Sequence, residues 1–218
     1  MKSKQVIVYI EGEGGGRGSR RRYNDGEFRK SWKQFLQPLA DTARNNGVDF
    51  FRCVPGRGGT MTTETFSKPL PKDEGALRIL LIDSEAPVAD INKPWDALGV
   101  KAPDWADEKN CYLMVQCLET WLLADVDSLK AHYDKSKSCF DEKKIKAWQN
   151  LEGTERKTLQ DALVKATANC LNPYEHADGN LIIAVVDRDK LKALSSVERL
   201  FKEFEEKIKE YAQPAPKK

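Results

Sequence analysis

The stretch Val6-Ile7-Val8-Tyr9-Ile10-Glu11-Gly12 decides the fold. Its first five residues are apolar and four of them are β-branched, with polar residues before and a glycine-rich stretch after. A continuous run of this kind predicts a strand buried on both faces, hence a central strand of a largely parallel sheet. Downstream, Phe28, Trp32, Phe35, Leu36, Leu39 and Ala43 recur at helical steps between Glu27 and Asn45, and Gly47 follows as a stop, so strand and helix open a βαβ unit. Val48 to Val54 is the next strand, closed by Pro55-Gly56 and Gly58-Gly59. Ile79 to Ile82 is a third, ending abruptly at Asp83-Ser84-Glu85-Ala86-Pro87, and Cys111 to Gln116 a fourth, running into helical spacing from Leu118 to Asp125. Val88 to Asn110 lacks periodicity and reads as an irregular insertion with short helical pieces. Helices are expected over Glu155 to Asn169 and Val197 to Tyr211, the second opened by a capping box of Ser195 with Glu198. Leu181 to Val186 fits either a last strand or a helical turn. The fold class is therefore α/β, with a central mostly parallel sheet flanked by helices.

At 218 residues the chain suits one domain, expected over residues 1–212, with 213–218 as a disordered tail. A composition of 40% apolar and 32% charged residues is that of an ordinary globular protein. The N-terminal apolar run is too short for a signal-peptide core or a membrane span, which predicts a cytoplasmic protein with no membrane partner. The five cysteines, Cys53, Cys111, Cys117, Cys139 and Cys170, lack the paired spacing of a zinc site, and most of them read as buried small apolar residues. Only His132 and His176 are present, so a histidine-based metal site has little to draw on. A net charge of +2 does not by itself point to nucleic acid.

Two expected strands end in acids, Glu11 after the first and Asp83 with Glu85 after the third. In parallel neighbours these carboxylates converge at the carboxyl edge of the sheet, where ligands of open α/β sheets gather. Such a crowd is costly unless a cation neutralises it. Oxygen ligands without Cys or His select Mg²⁺ or Mn²⁺, which pairs with a phosphate-ester substrate. Each acid taken alone is also what an ordinary strand-end turn would carry. Glu13 is a reserve ligand beside Glu11. The loop from Gly12 to Gly18 matches no nucleotide-binding fingerprint, and its glycines suit a sharp turn close to a phosphate. Next to it lie Arg17, Arg20, Arg21, Arg22, Arg29, Lys30 and Lys33, with Arg52 and Arg57 on a neighbouring strand and loop. This basic surface suits a nucleic-acid backbone, or alternatively a solvated loop or an acidic partner.

The order apolar strand, Glu-Gly, helix, two strands and Asp-x-acid resembles the Toprim domain of topoisomerases, primases and overcoming-lysogenization-defect nucleases. Over nearly the whole chain, IEGEG at Ile10 to Gly14, LLIDSEAPV at Leu80 to Val88 and LMVQCLETWLLAD at Leu113 to Asp125 resemble the bacterial family called domain of unknown function 4276, regarded as Toprim-like. The resemblance implies a Toprim-like Rossmannoid fold, Glu11 as general acid or base, and Asp83 with Glu85 on the metal. It also implies a lysine at Lys157 stabilising charge on a phosphate, and it draws attention to Glu119 and Trp121, Glu119 as a ligand of a second metal. Glu85 departs from the Toprim pattern, which has Asp there. The function implied by the resemblance is a Mg²⁺- or Mn²⁺-dependent nuclease for DNA or RNA, tRNA included, acting in antiphage defence beside an ABC-type or SMC-like ATPase. The alternative is a non-catalytic subunit that binds that ATPase or nucleic acid.

Overall fold

The computed structural model describes residues 3–12, 25–69, 75–135 and 137–213. Strands β1 (Gln5–Ile10), β2 (Phe50–Pro55), β3 (Leu77–Asp83) and β4 (Cys111–Met114) form one sheet in the order β2-β1-β3-β4. All three neighbouring pairs run parallel. The inner strands β1 and β3 are the two most continuously apolar segments, as burial on both faces requires.

Alternate residues face two different apolar layers. Val6, Val8, Ile10, Ile79, Leu81 and Met114 pack on a large cluster that includes α1 (Asp25–Phe35), α2 (Gln37–Asn45), α5 (Leu118–Leu123), α7 (Arg156–Ala166) and α10 (Ser195–Ala212). Ile7, Tyr9, Leu80, Ile82 and Leu113 face a smaller cluster with Phe66 of α3 (Gly59–Ser67) and Trp95 of α4 (Pro94–Leu98). The α/β expectation with a parallel sheet flanked by helices is what the chain adopts.

Several local readings change. The single helix expected from Glu27 to Asn45 is two, α1 and α2, parted at Leu36. Pro38 is the reason: it has no N–H to donate and takes an early position of the new helix. Helix α3 is not legible in the sequence because the segment is threonine-rich and a poor helix former. Its hydroxyls of Thr62, Thr63 and Thr65 donate back to the carbonyls of Gly58, Gly59 and Met61. Leu181 to Val186 is helical, covered by α8 (Gly179–Ile182) and a 3₁₀ turn over Ile183–Val185. The capping box expected at Ser195 does not form, because Leu194 is the N-cap. Instead the Glu152 carboxylate accepts the N–H groups of Ser195 and Ser196 at 3.0 and 2.9 Å. Helix α6 (Val126–Tyr133) is a further element that the sequence pattern does not announce.

Cys53, Cys111 and Cys117 are buried thiols as expected. Cys139 and Cys170 are instead joined in a disulfide, their Cα atoms 5.0 Å apart. Disulfides are rare in cytosolic proteins, so the cytoplasmic expectation has this bond against it. Among the described residues no helix is long and apolar enough to cross a membrane.

Gly56 follows β2 where the chain turns into α3, and a Cβ there would stand 1.8 Å from the Thr62 hydroxyl oxygen. That hydroxyl is pinned by its 2.7 Å bond to the Gly58 carbonyl and cannot swing aside freely. Gly56→Ala is expected to destabilise by about 1–3 kcal/mol, the usual scale of overpacking, measured as a lowered urea midpoint with unchanged slope.

Candidate functional site

The carboxyl edge of the sheet opens into a cleft of about 170 Å³ lined by Glu11, Gly12, Gly58, Gly59, Asp83, Glu85, Leu118, Arg156, His176 and Asn180. Larger hollows lie beside the disulfide, about 330 Å³, and between α2 and α10, about 670 Å³. The small cleft is the chemically distinctive one because the buried Asp83 and the half-buried Glu11 meet in it.

Strand pairing places the first two acids. Ile10 pairs with Leu81, and the next N–H, that of Glu11, donates to the Leu81 carbonyl at 2.8 Å. The Glu11 side chain then accepts the Asp83 backbone N–H at 3.1 Å. Gly59 opens α3 against it, where a Cβ would stand 3.3 Å from Glu11 Oε2. Burial raises the Glu11 pKa, opposed by the Asp83 N–H and reinforced by the Glu85 charge. Asp83 is buried, and its Oδ1 has no hydrogen-bond partner among the described residues. Burial pushes its pKa well above the ordinary carboxylate range, and the charges of Glu11 and Glu119 add to the shift.

The other two acids take different partners. Glu85 adopts a left-handed backbone, φ 62°, rare for a residue with a side chain. Its N–H donates to the Gln116 carbonyl at 2.9 Å, and its carboxylate pairs with Arg156 at 2.6 Å. Glu119, in the first turn of α5, is fully buried. Its Oε1 accepts the Tyr174 hydroxyl at 2.8 Å and contacts His176 Nδ1, while Oε2 has no partner among the described residues. Burial raises the Glu119 pKa, but the hydrogen bonds from His176 and Tyr174 outweigh it and hold the carboxyl below its ordinary value. Among the described residues no group of three or more His, Cys, Asp or Glu side chains is disposed to hold a metal ion. The expected trio of Asp83, Glu85 and Glu119 is therefore split, with Glu85 drawn to a guanidinium and Glu119 to an imidazole and a phenol.

Lys157 is exposed and does not line the cleft; its neighbour Arg156 does. Helical spacing carries the signal, since Arg156 lies on the stripe of Leu159, Leu163 and Ala166 while Lys157 is turned about 100° away. The Gln116 side chain donates to the carbonyls of Glu152 and Thr154 at 3.2 and 2.7 Å, which holds the entry to α7 and so positions Arg156. Trp121 is core, donating to the Ser196 hydroxyl at 3.0 Å. Sequence reasoning misses Arg156, His176, Tyr174 and Asn180. Asn180 accepts the Trp32 indole N–H at 2.9 Å, tying the cleft wall to α1. Arg57 is exposed in the loop before α3, beside Gly58. Glu13, Arg17, Arg20, Arg21 and Arg22 lie outside the described residues.

No curated protein and no solved structure matches the chain. A family model matches residues 21–175, a span that holds Asp83, Glu85, Glu119 and Arg156 and leaves Glu11 and His176 beyond its two ends. With most of its length inside that match, the chain belongs to the family described as Domain of unknown function (DUF4276).

Proposed function

We propose that the protein is a Mg²⁺- or Mn²⁺-dependent phosphodiesterase of the Toprim kind, cutting DNA or RNA. The observation that carries this reading is the buried Asp83 Oδ1, without a partner among the described residues, beside Glu11 in a cleft that also holds Arg156. A small hard cation fits these residues: the donors are all oxygen, one of them lacks a partner among the described residues, and Mg²⁺ is commonly held by one or two carboxylates with water and phosphate. Glu11 and Asp83 would hold it. Bound there, the ion would offset their mutual repulsion and polarise a phosphoryl oxygen.

Arg156 supplies a fixed positive charge for a phosphate, aimed by its pair with Glu85. Gly12, Gly58 and Gly59 let the backbone of the opposite wall come close to it. Arg156→Gln is expected to lower cleavage about 10- to 100-fold, the scale of losing an outer-shell partner, read from initial rates at saturating cation. The LLIDSEAPV and LMVQCLETWLLAD strings favour a role in antiphage defence beside an ABC-type or SMC-like ATPase.

A second reading, a binding subunit without catalysis, draws on the Glu85–Arg156 pair, which neutralises an acid instead of adding it to a ligand set. Incubation with plasmid DNA and total tRNA, with and without millimolar Mg²⁺ or Mn²⁺, separates the two. Cation-dependent cutting that is lost in Glu11→Gln supports the phosphodiesterase. Absence of cutting under every condition overturns it in favour of the subunit.

A further inference from the structure

We propose that the Cys139–Cys170 disulfide is a redox switch on the cleft: closed, it clamps the segment from Thr167 to His176 that forms one wall, and a dithiol reductant releases that wall by opening it. As regulation of cleavage this rests on the phosphodiesterase reading. The coupling of the bond to the wall does not.

Cys170 stands on the loop after α7, shortly before Tyr174 and the cleft-lining His176. The buried Thr167 joins the parts of that loop. Its carbonyl accepts the Cys170 N–H at 2.9 Å, and its hydroxyl accepts the Tyr174 N–H at 2.8 Å while donating to the Leu163 carbonyl at 2.9 Å. Tyr174 in turn donates its hydroxyl to Glu119 of α5 at 2.8 Å, and Leu118, the residue before Glu119, lines the cleft. A displacement at Cys170 therefore passes to the cleft wall through a hydrogen-bonded loop. Leu171, beside Cys170, is 92% exposed and contributes no packing that would hold the segment in place of the bond.

Three features make the bond reversible rather than a fixed staple. It opens on a hollow of about 330 Å³ lined also by Lys135, Lys137, Asn169 and Leu171, and the half-buried Cys139 presents its sulfur to an incoming thiolate. The two ammonium groups favour the thiolate form of attacking and leaving sulfur. Second, the cysteines are neighbours without the bond. The Asp141 N–H donates to the Ala166 carbonyl at 2.8 Å, and the Asp134 carboxylate accepts the N–H groups of Cys139 and Phe140 at 2.7 and 2.9 Å. Opened thiols thus stay close enough to reclose. Third, burial pushes the thiols of Cys53, Cys111 and Cys117 up, so they remain protonated and do not compete in exchange.

The step balances with a dithiol as the co-reactant. Its thiolate attacks the Cys139 sulfur, a mixed disulfide forms as the Cys139–Cys170 bond breaks, and the Cys170 thiolate leaves and takes a proton. The second thiol of the reductant then displaces the Cys139 sulfur. The protein is reduced to a pair of thiols, and the dithiol is oxidised to a disulfide. A small disulfide such as oxidised glutathione runs the exchange in reverse.

The test compares the full chain, oxidised and after dithiothreitol treatment without denaturant, by alkylation mass spectrometry, amide hydrogen exchange and cleavage with Mn²⁺. Alkylation is expected to appear at Cys139 and Cys170 on reduction. Exchange in peptides spanning residues 167–176 should quicken by roughly 10- to 100-fold, with β1 and β3 unchanged. Cleavage should fall about tenfold and return after oxidised glutathione. Cys139→Ser should show the exchange and the rate of the reduced protein and respond to neither reagent. A bond that dithiothreitol leaves intact in the folded chain, or exchange at 167–176 that is the same with the bond open and closed, overturns the switch. Cleavage that does not fall on reduction, in a protein whose exchange does quicken, overturns the regulation alone. A wild type that cuts nothing in either state overturns the phosphodiesterase reading and the regulation with it, while hydrogen exchange still decides whether the bond holds the wall.

Discussion

Asp83→Asn is expected to make the cation-free protein more stable at pH 8 while lowering cleavage by roughly 10³-fold, a loss of several kcal/mol of transition-state stabilisation at 1.36 kcal/mol per tenfold. The two effects have one cause. The Asp83 carboxyl is buried, Oδ1 lacks a partner among the described residues, and Glu11 and Glu119 crowd it with like charge. Its pKa in the folded protein lies well above the ordinary 3.8, so between those values the folded state binds more protons than the unfolded one. The stability this group contributes is therefore full below about pH 4, is lost as pH rises through the raised folded value, and stays lost above it. Asparagine is nearly isosteric and cannot ionise. The difference in unfolding free energy between variant and wild type should grow with pH across that window and level off at about 1–3 kcal/mol, the scale of an unsatisfied buried polar group. Urea unfolding from pH 4 to pH 8 measures it, and a difference that does not change with pH would contradict the placement of the charge. Added Mn²⁺ should raise the wild-type midpoint, since a ligand that binds only the folded state stabilises it, and should leave the variant unmoved.

Glu119→Ala is expected to cost about 3–5 kcal/mol, the larger stability effect of the two. Glu119 is fully buried and is the shared acceptor for the Tyr174 hydroxyl and His176. Truncation strands the Tyr174 hydroxyl and opens a void between α5 and the segment carrying Tyr174 and His176. Glu119→Gln keeps the volume and one acceptor and should cost about 1–2 kcal/mol, on the scale of one weakened hydrogen bond to a charged group. Because the Glu119 charge also raises the Asp83 pKa, the two substitutions should not add: Asp83→Asn should stabilise less in a Glu119→Gln background. Guanidinium unfolding of the two single variants and the double variant checks the sign. A Glu119→Ala loss below about 1 kcal/mol, the net scale of one ordinary hydrogen bond, would mean that the Tyr174 hydroxyl finds another partner.

The parts legible in sequence are those where one local pattern suffices. Five consecutive apolar residues mark β1 as an inner strand, and the Asp83-Ser84-Glu85 break after Ile82 marks the end of β3, so the meeting of Glu11 and Asp83 is a consequence of topology. What escapes depends on distant chain segments. Glu85 and Glu119 are expected beside Asp83 on a metal, but their partners Arg156, Tyr174 and His176 lie far along the chain, and no periodicity announces such pairing. Lys157 stands out by residue type, whereas the inward stripe of α7 passes through Arg156. The Cys139–Cys170 bond joins residues 31 apart, and no local spacing announces their proximity.

The most direct test of the cation site is a Mn²⁺ titration of the purified full chain, followed by electron paramagnetic resonance of the free ion and repeated on Asp83→Asn. Saturable binding by the wild type at or below millimolar Mn²⁺, lost in the variant, is the expected result. Absence of saturable binding by the wild type, or equal binding by both proteins, would contradict the assignment of Glu11 and Asp83 as its ligands.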